Sequence, residues 1–456
     1  QAVTLTTDFG SFNVNDPTVQ TTTATSDTNG EVTVNLYSTT PGTATITASS
    51  CLDNCVVTQA DNATVEFEPG ALASFDIASI ANTTAGVEFS AEVTALDQYG
   101  NIITGYSGAP SVTLVSGTAS AGPTGPSFSS GKSTLTGTIE VAGNYQINVT
   151  GAAPNQDITA LSNTFTVTAA SPASMTLVAG DGQTGTVATP LATDLKVKVS
   201  DAFSNPVPNQ AVNWNAIDGF VGPLPSVTDA SGEATVTWTL GPVAGSQTAM
   251  ASVPGDSTTT YTANFAATAE PGPPARVFLD NLTPTSVSAG GAFSVDAIIT
   301  DAQGNAVLDS EVDGTLDLKV SLMDASGTAT EASLAGTTQQ SATTATTTFS
   351  GLSITEAGAY TIRVQDTASK LGFGLSAPVT ITPAAADAAQ SSLSVDPNAL
   401  ASNGEATAEV LVTVRDQYGN VRTSGGDDVF ITASSGQVSE VTDQQDGTYT
   451  ATLTSS

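Results

Sequence analysis

Phe89-Ser-Ala-Glu-Val-Thr-Ala-Leu-Asp97-Gln-Tyr-Gly-Asn101 is an alternating apolar run closed by an Asp-containing turn, and the same grammar returns three more times. The later copies are Leu195-Lys-Val-Lys-Val-Ser-Asp201-Ala-Phe-Ser-Asn205, Phe293-Ser-Val-Asp-Ala-Ile-Ile-Thr-Asp301-Ala-Gln-Gly-Asn305 and Val410-Leu-Val-Thr-Val-Arg-Asp416-Gln-Tyr-Gly-Asn420. Apolar residues recur at every second position, the period of a strand with one buried face, and no run keeps the 3.6-residue period of a helix. The four aspartates lie 104, 100 and 115 residues apart, which is the length of one β-sandwich domain. The fold class is therefore all-β, a tandem array of immunoglobulin-like β-sandwiches.

Two further repeats place the domains. A glycine opens an alternating strand at Gly42-Thr-Ala-Thr-Ile, Gly143-Asn-Tyr145, Gly245-Ser-Gln-Thr-Ala, Gly358-Ala-Tyr360 and Gly447-Thr-Tyr449, and the three tyrosines are expected at the tyrosine corner of a sandwich. Pro- or Ala-rich joints precede first strands at Pro69-Gly-Ala, Ser171-Pro-Ala, Pro271-Gly-Pro-Pro and Asp387-Ala-Ala. The expected domains are 1–69, 70–169, 170–271, 272–385 and 386–456. Joints this short, with proline fixing φ, restrict swinging, so a stiff array on the order of 150 Å long is expected. Gln1-Ala-Val3 matches Gln210-Ala-Val212, so the first domain is expected to lack its opening strands, and the last its final strand. A sequence boundary or a strand given by another chain would both produce that pattern.

Charge narrows the function classes. The 456 residues include 43 acidic and 9 basic side chains and no histidine, for a net charge of -34. Nucleic acid and anionic membrane surfaces are disfavoured as partners, since both are bound by clustered Lys and Arg. No stretch of about 18 apolar residues offers a membrane span. The absence of histidine removes Ser-His-Asp and Cys-His catalysis and His-based zinc sites, and the reading is not an enzyme. A mechanism built on two carboxylates alone stays formally open.

Two small constellations remain. Cys51-Leu-Asp-Asn-Cys55 reads as a short disulfide at a hairpin tip in an oxidising compartment, because a metal site would need two further ligands and there is no other Cys and no His. Asp97, Asp301, Glu311, Asp313, Asp416, Asp427 and Asp428 collect near turns and joints, where carboxylate oxygens suit calcium. Asp before Gly-Asn is also ordinary turn chemistry, in which the carboxylate takes nearby backbone N–H groups and Gly and Asn accept positive φ. That second reading is favoured, since no EF-hand spacing is present. Trp214 and Trp238 fall on alternating strands and are expected in the core.

Thr228-Asp-Ala-Ser-Gly232-Glu-Ala-Thr-Val-Thr-Trp238-Thr-Leu closely resembles the signature of the bacterial Ig-like domains of invasin and intimin, and Ser26-Asp-Thr-Asn-Gly30-Glu-Val-Thr-Val resembles it again. The resemblance implies surface display, adhesion or spacing. It transfers no receptor binding, because no C-type lectin-like tip and no outer-membrane barrel occur in this stretch. The expected function is an extracellular, non-enzymatic structural or adhesive stalk at the cell surface, with other copies or surface proteins as partners. A self-assembling filament or surface-layer subunit is the alternative, followed by a carbohydrate- or calcium-binding module.

Overall fold

Each alternating run becomes a strand with one face in the core, as Leu195–Ser200 shows: Leu195, Val197 and Val199 are fully buried, while Lys196 and Lys198 are partly exposed on the other face. There Lys196 Nζ pairs with Glu233 Oε2 at 3.1 Å. The computed structural model describes the chain except residues 53–55, 60–61, 116–122, 126, 257, 313–315 and 331. Cys55 and Asp313 lie outside the described residues, and with Cys55 the expected Cys51–Cys55 bridge.

The third unit holds two sheets face to face. One runs in the order Ser174–Ala179, Leu195–Ser200, Glu233–Thr239, Phe220–Gly222; the other in the order Gln183–Thr186, Thr260–Glu270, Gly245–Pro254, Ala211–Ala216, Ser226–Val227. All pairings are antiparallel except Gln183–Thr186, which runs parallel to Thr260–Glu270. The fourth unit repeats this order strand for strand, from Arg276–Thr283 to Gly374–Thr382. The second unit places Ser74–Ile77, Glu88–Leu96 and Lys132–Thr138 in one sheet, with Thr83–Thr84 again parallel to Phe165–Thr168 opposite. Three separate cores result, spanning Phe75 to Val167, Val187 to Ala269 and Val277 to Ile381. Trp238 is fully buried and Trp214 nearly so, the latter packed against Phe265 in a tilted arrangement with ring centroids 5.8 Å apart, so both tryptophans pack the third core as expected.

The end units show one sheet each among the described residues. The first unit pairs Ala2–Thr7 with Thr21–Thr25 and Gly42–Leu52, the arrangement of the second sheet elsewhere. The fifth joins Ala386–Asp396, Thr407–Asp416 and Thr448–Thr454, the arrangement of the first sheet.

That placement corrects the expectation for Tyr449. Its strand pairs with Thr407–Asp416 and takes the position of Lys132–Thr138, Glu233–Thr239 and Thr346–Ile354, not that of the Tyr145 and Tyr360 strands. The Val414 N–H reaches Gly447 O as the Val199 N–H reaches Gly232 O and the Ala95 N–H reaches Gly131 O. Glycine before a small or aromatic residue opens two different strands of this fold, so the motif alone does not say which. Tyr145 does form the corner, its hydroxyl donating to Val141 O at 2.8 Å; the Tyr449 hydroxyl instead accepts the Asp427 N–H at 2.8 Å.

Candidate functional site: the joints between units

The repeated Asp turn lies where one unit meets the next. Within the turn the Asp N–H donates to the carbonyl of the Asn four residues on, and the third residue after Asp donates back to the Asp carbonyl. That third residue needs positive φ and is Gly100, Gly304 or Gly419 in three units and Ser204, at φ 68°, in the third. The asparagine was expected to share the positive φ. It does not, and the physical reason for its recurrence is its side chain.

Asn205 shows the arrangement. Its Nδ2 donates to Asp201 Oδ2 at 2.8 Å and to Glu140 O of the preceding unit at 2.7 Å, while its Oδ1 accepts the Ala142 N–H at 2.9 Å. One side-chain amide thus grips a carbonyl and an N–H two residues apart, as a neighbouring peptide group would. Asn305 does the same with Pro242 O and the Ala244 N–H, at 2.8 and 2.9 Å. Asn420 repeats it with Thr355 O and the Ala357 N–H, at 2.8 and 2.9 Å. Asn101 reaches Thr39 O at 2.7 Å.

The aspartate holds the asparagine and also the linker. Asp201 Oδ1 accepts the N–H groups of Phe203 and Asn205, and Oδ2 accepts Asn205 Nδ2 and the linker N–H of Ala170 at 2.9 Å. The same linker bond runs from Gly70 to Asp97, from Gly272 to Asp301 and from Ala384 to Asp416. Turn, linker and preceding unit therefore meet at one carboxylate–amide pair. All four aspartates are at most 3% exposed. Burial alone would raise the carboxyls of Asp201, Asp301 and Asp416, but the Asn amide and the backbone N–H donors outweigh it and hold them below the ordinary range. Asp97 is lowered furthest, by the Asn101 amide first and then by the Gly70 N–H.

Aromatic packing adds to two joints. Phe203 lies over Gly86 of the preceding unit, where an added Cβ would stand 2.5 Å from the ring, and Tyr418 lies over Gly290 in the same way. At the last joint Arg422 Nη1 also donates to the linker carbonyl of Ala384 at 2.9 Å, and its Nε pairs with Asp427 Oδ2 at 3.1 Å.

The acidic residues singled out in the sequence are thus distributed, not gathered. Asp97, Asp301 and Asp416 occupy equivalent positions in three different joints, each filled with N–H donors. Asp427 faces Arg422, Asp428 is exposed, and Glu311 sits in the short 3-10 turn Asp309–Glu311. Among the described residues no three acidic or cysteine side chains converge on a common point. Sequence reasoning missed Asp201, the four asparagines and the carbonyl and N–H groups they grip in the preceding unit; the signal was there in the recurrence of Asn at the fourth position after every turn aspartate.

Comparisons with known proteins agree with the repeat. Residues 191–266 match the bacterial Ig-like domain (group 1), and residues 387–456 match invasin domain 3. No curated protein matches the chain. Among solved structures, the Escherichia coli adhesin FdeC is 18% identical, covering 69% of this chain and 100% of its own at a TM-score of 0.37. Invasin, described as a bacterial integrin-binding protein, is 14% identical over 88% of this chain and 75% of its own, TM-score 0.35. Yersinia pseudotuberculosis InvD is 24% identical over 54% and 71%, TM-score 0.27.

Proposed function

Because the chain carries bacterial Ig-like and invasin-type segments, we propose that it is a non-enzymatic stalk of a bacterial surface protein, in which domains 1–69, 70–169, 170–271, 272–385 and 386–456 are held in fixed succession. The observation that carries this reading is the Asp–Asn clamp, built four times from the same two residues at the same place. A protein whose units worked independently would gain nothing from a buried carboxylate and a cross-joint amide at every joint. The invasin-type segment supports an adhesive role, with a host or neighbouring-cell surface as the class of partner.

The test is small-angle scattering with in-line light scattering on the 456-residue chain. The stalk reading expects an extended monomer that shortens or broadens when Asn101, Asn205, Asn305 and Asn420 are all replaced by alanine. A compact particle would overturn it. A second reading, self-assembly by strand addition, is favoured by one observation: residues 428–432 alternate in exposure like a strand, with Phe430 91% exposed, yet pair with no strand among the described residues. Growth of large assemblies in the same measurement would select it. Calcium at the joints is the third reading, and a cation there would have to displace the N–H donors on each aspartate.

A further inference from the structure

We infer that the joint between the first and second units is the compliant one in the array, and that Pro41 makes it so. The inference rests on the clamp reading above and goes beyond it, since it assigns different stiffness to joints built on the same motif.

The gripped segments align on the glycine that follows them. Glu140-Val-Ala142-Gly143, Pro242-Val-Ala244-Gly245 and Thr355-Glu-Ala357-Gly358 each offer a carbonyl at the first position and an N–H at the third. The first unit reads Thr39-Thr-Pro41-Gly42. Proline has no N–H, so the bond that every other joint makes to the Asn Oδ1 is covalently impossible here. Asn101 keeps only its donation to Thr39 O, at 2.7 Å. A single hydrogen bond between two bodies is an axle about which they turn; two, to groups two residues apart, fix the orientation of the amide plane as well. The aromatic that reinforces two other joints is also less engaged, for Tyr99 is 59% exposed against 37% for Phe203 and 43% for Tyr418. Toward the other end, the last joint adds the Arg422 bond to the linker carbonyl.

Nitroxide labels on a genetically encoded ketone side chain leave both cysteines untouched, and exposed strand positions Thr23, Thr134 and Thr235 report on the two joints in the whole chain. The 23–134 distance distribution, measured by pulsed electron resonance, is expected to be about twice as wide as the 134–235 distribution. Pro41→Ala restores the missing donor and is expected to narrow the first distribution to the width of the second. Asn205→Ala is expected to broaden the second, and by more than Asn101→Ala broadens the first. Equal widths in the unmodified chain, or a first distribution that Pro41→Ala leaves unchanged, would overturn the inference alone. A second distribution unmoved by Asn205→Ala would overturn the clamp reading on which it rests.

Discussion

Replacing Asn205 by alanine removes three hydrogen bonds at once and leaves the Asp201 carboxylate, 3% exposed, short of a donor. A destabilisation of about 2 kcal/mol is expected in urea unfolding of the full chain, because the lost donor belonged to a buried charge. Asn205→Asp should cost more than alanine, since it sets a second carboxylate against the first and against the Glu140 carbonyl. Ser204 offers the opposite sign: it holds φ at 68°, where glycine stands in the other three turns, and Ser204→Gly is expected to stabilise by about 1 kcal/mol. Protonation probes the same bonds. The folded carboxyls of Asp97, Asp201, Asp301 and Asp416 lie below their unfolded value, so their contribution is complete above that value and is lost as pH falls through the lowered ones. Unfolding midpoints in urea should be flat above about pH 5 and fall below about pH 4. A midpoint that stayed flat down to about pH 2 would deny these four groups the role.

At the level of strands, Glu233–Thr239 carries the most packing weight, because it brings the fully buried Trp238 between the two sheets of the third unit. Trp238→Ala is expected to cost about 3–5 kcal/mol, read as early loss of the third unit's transition in calorimetry. That strand was plain in the sequence, as were the Asp turns that end the third strand of each complete sandwich, because period-two alternation and turn residues are local signals. The clamp was not. Asn205 and Ala142 are 63 residues apart and belong to different units, and nothing local distinguishes an asparagine that reaches across a joint from one that merely completes a turn. The Tyr449 strand was misplaced for a related reason: a short Gly-x-Tyr motif records a strand entry, whereas strand identity is set by what pairs beside it, here Val412 opposite Tyr449. In the sequence Asp427 is one more acid beside a joint; its pairing with Arg422, five residues earlier, depends on the loop that brings the two side chains together.

Over the whole molecule, four joints of one design carry a net charge of -34 between them and the units they connect. Millimolar calcium is expected to leave the scattering-derived length of the chain unchanged, because the clamp aspartates already have their oxygens engaged; a calcium-dependent lengthening would show that the cation displaces N–H donors. The bonds that Asn101, Asn205, Asn305 and Asn420 make across the joints run between amide, carbonyl and N–H groups, and none of them is an ion pair. Dissolved ions screen attraction between separated charges but have little hold on short contacts between neutral dipoles. A chain of units fastened in this way should keep the same bearing between neighbours from fresh water to brine, where one fastened by surface ion pairs would slacken as ionic strength rose.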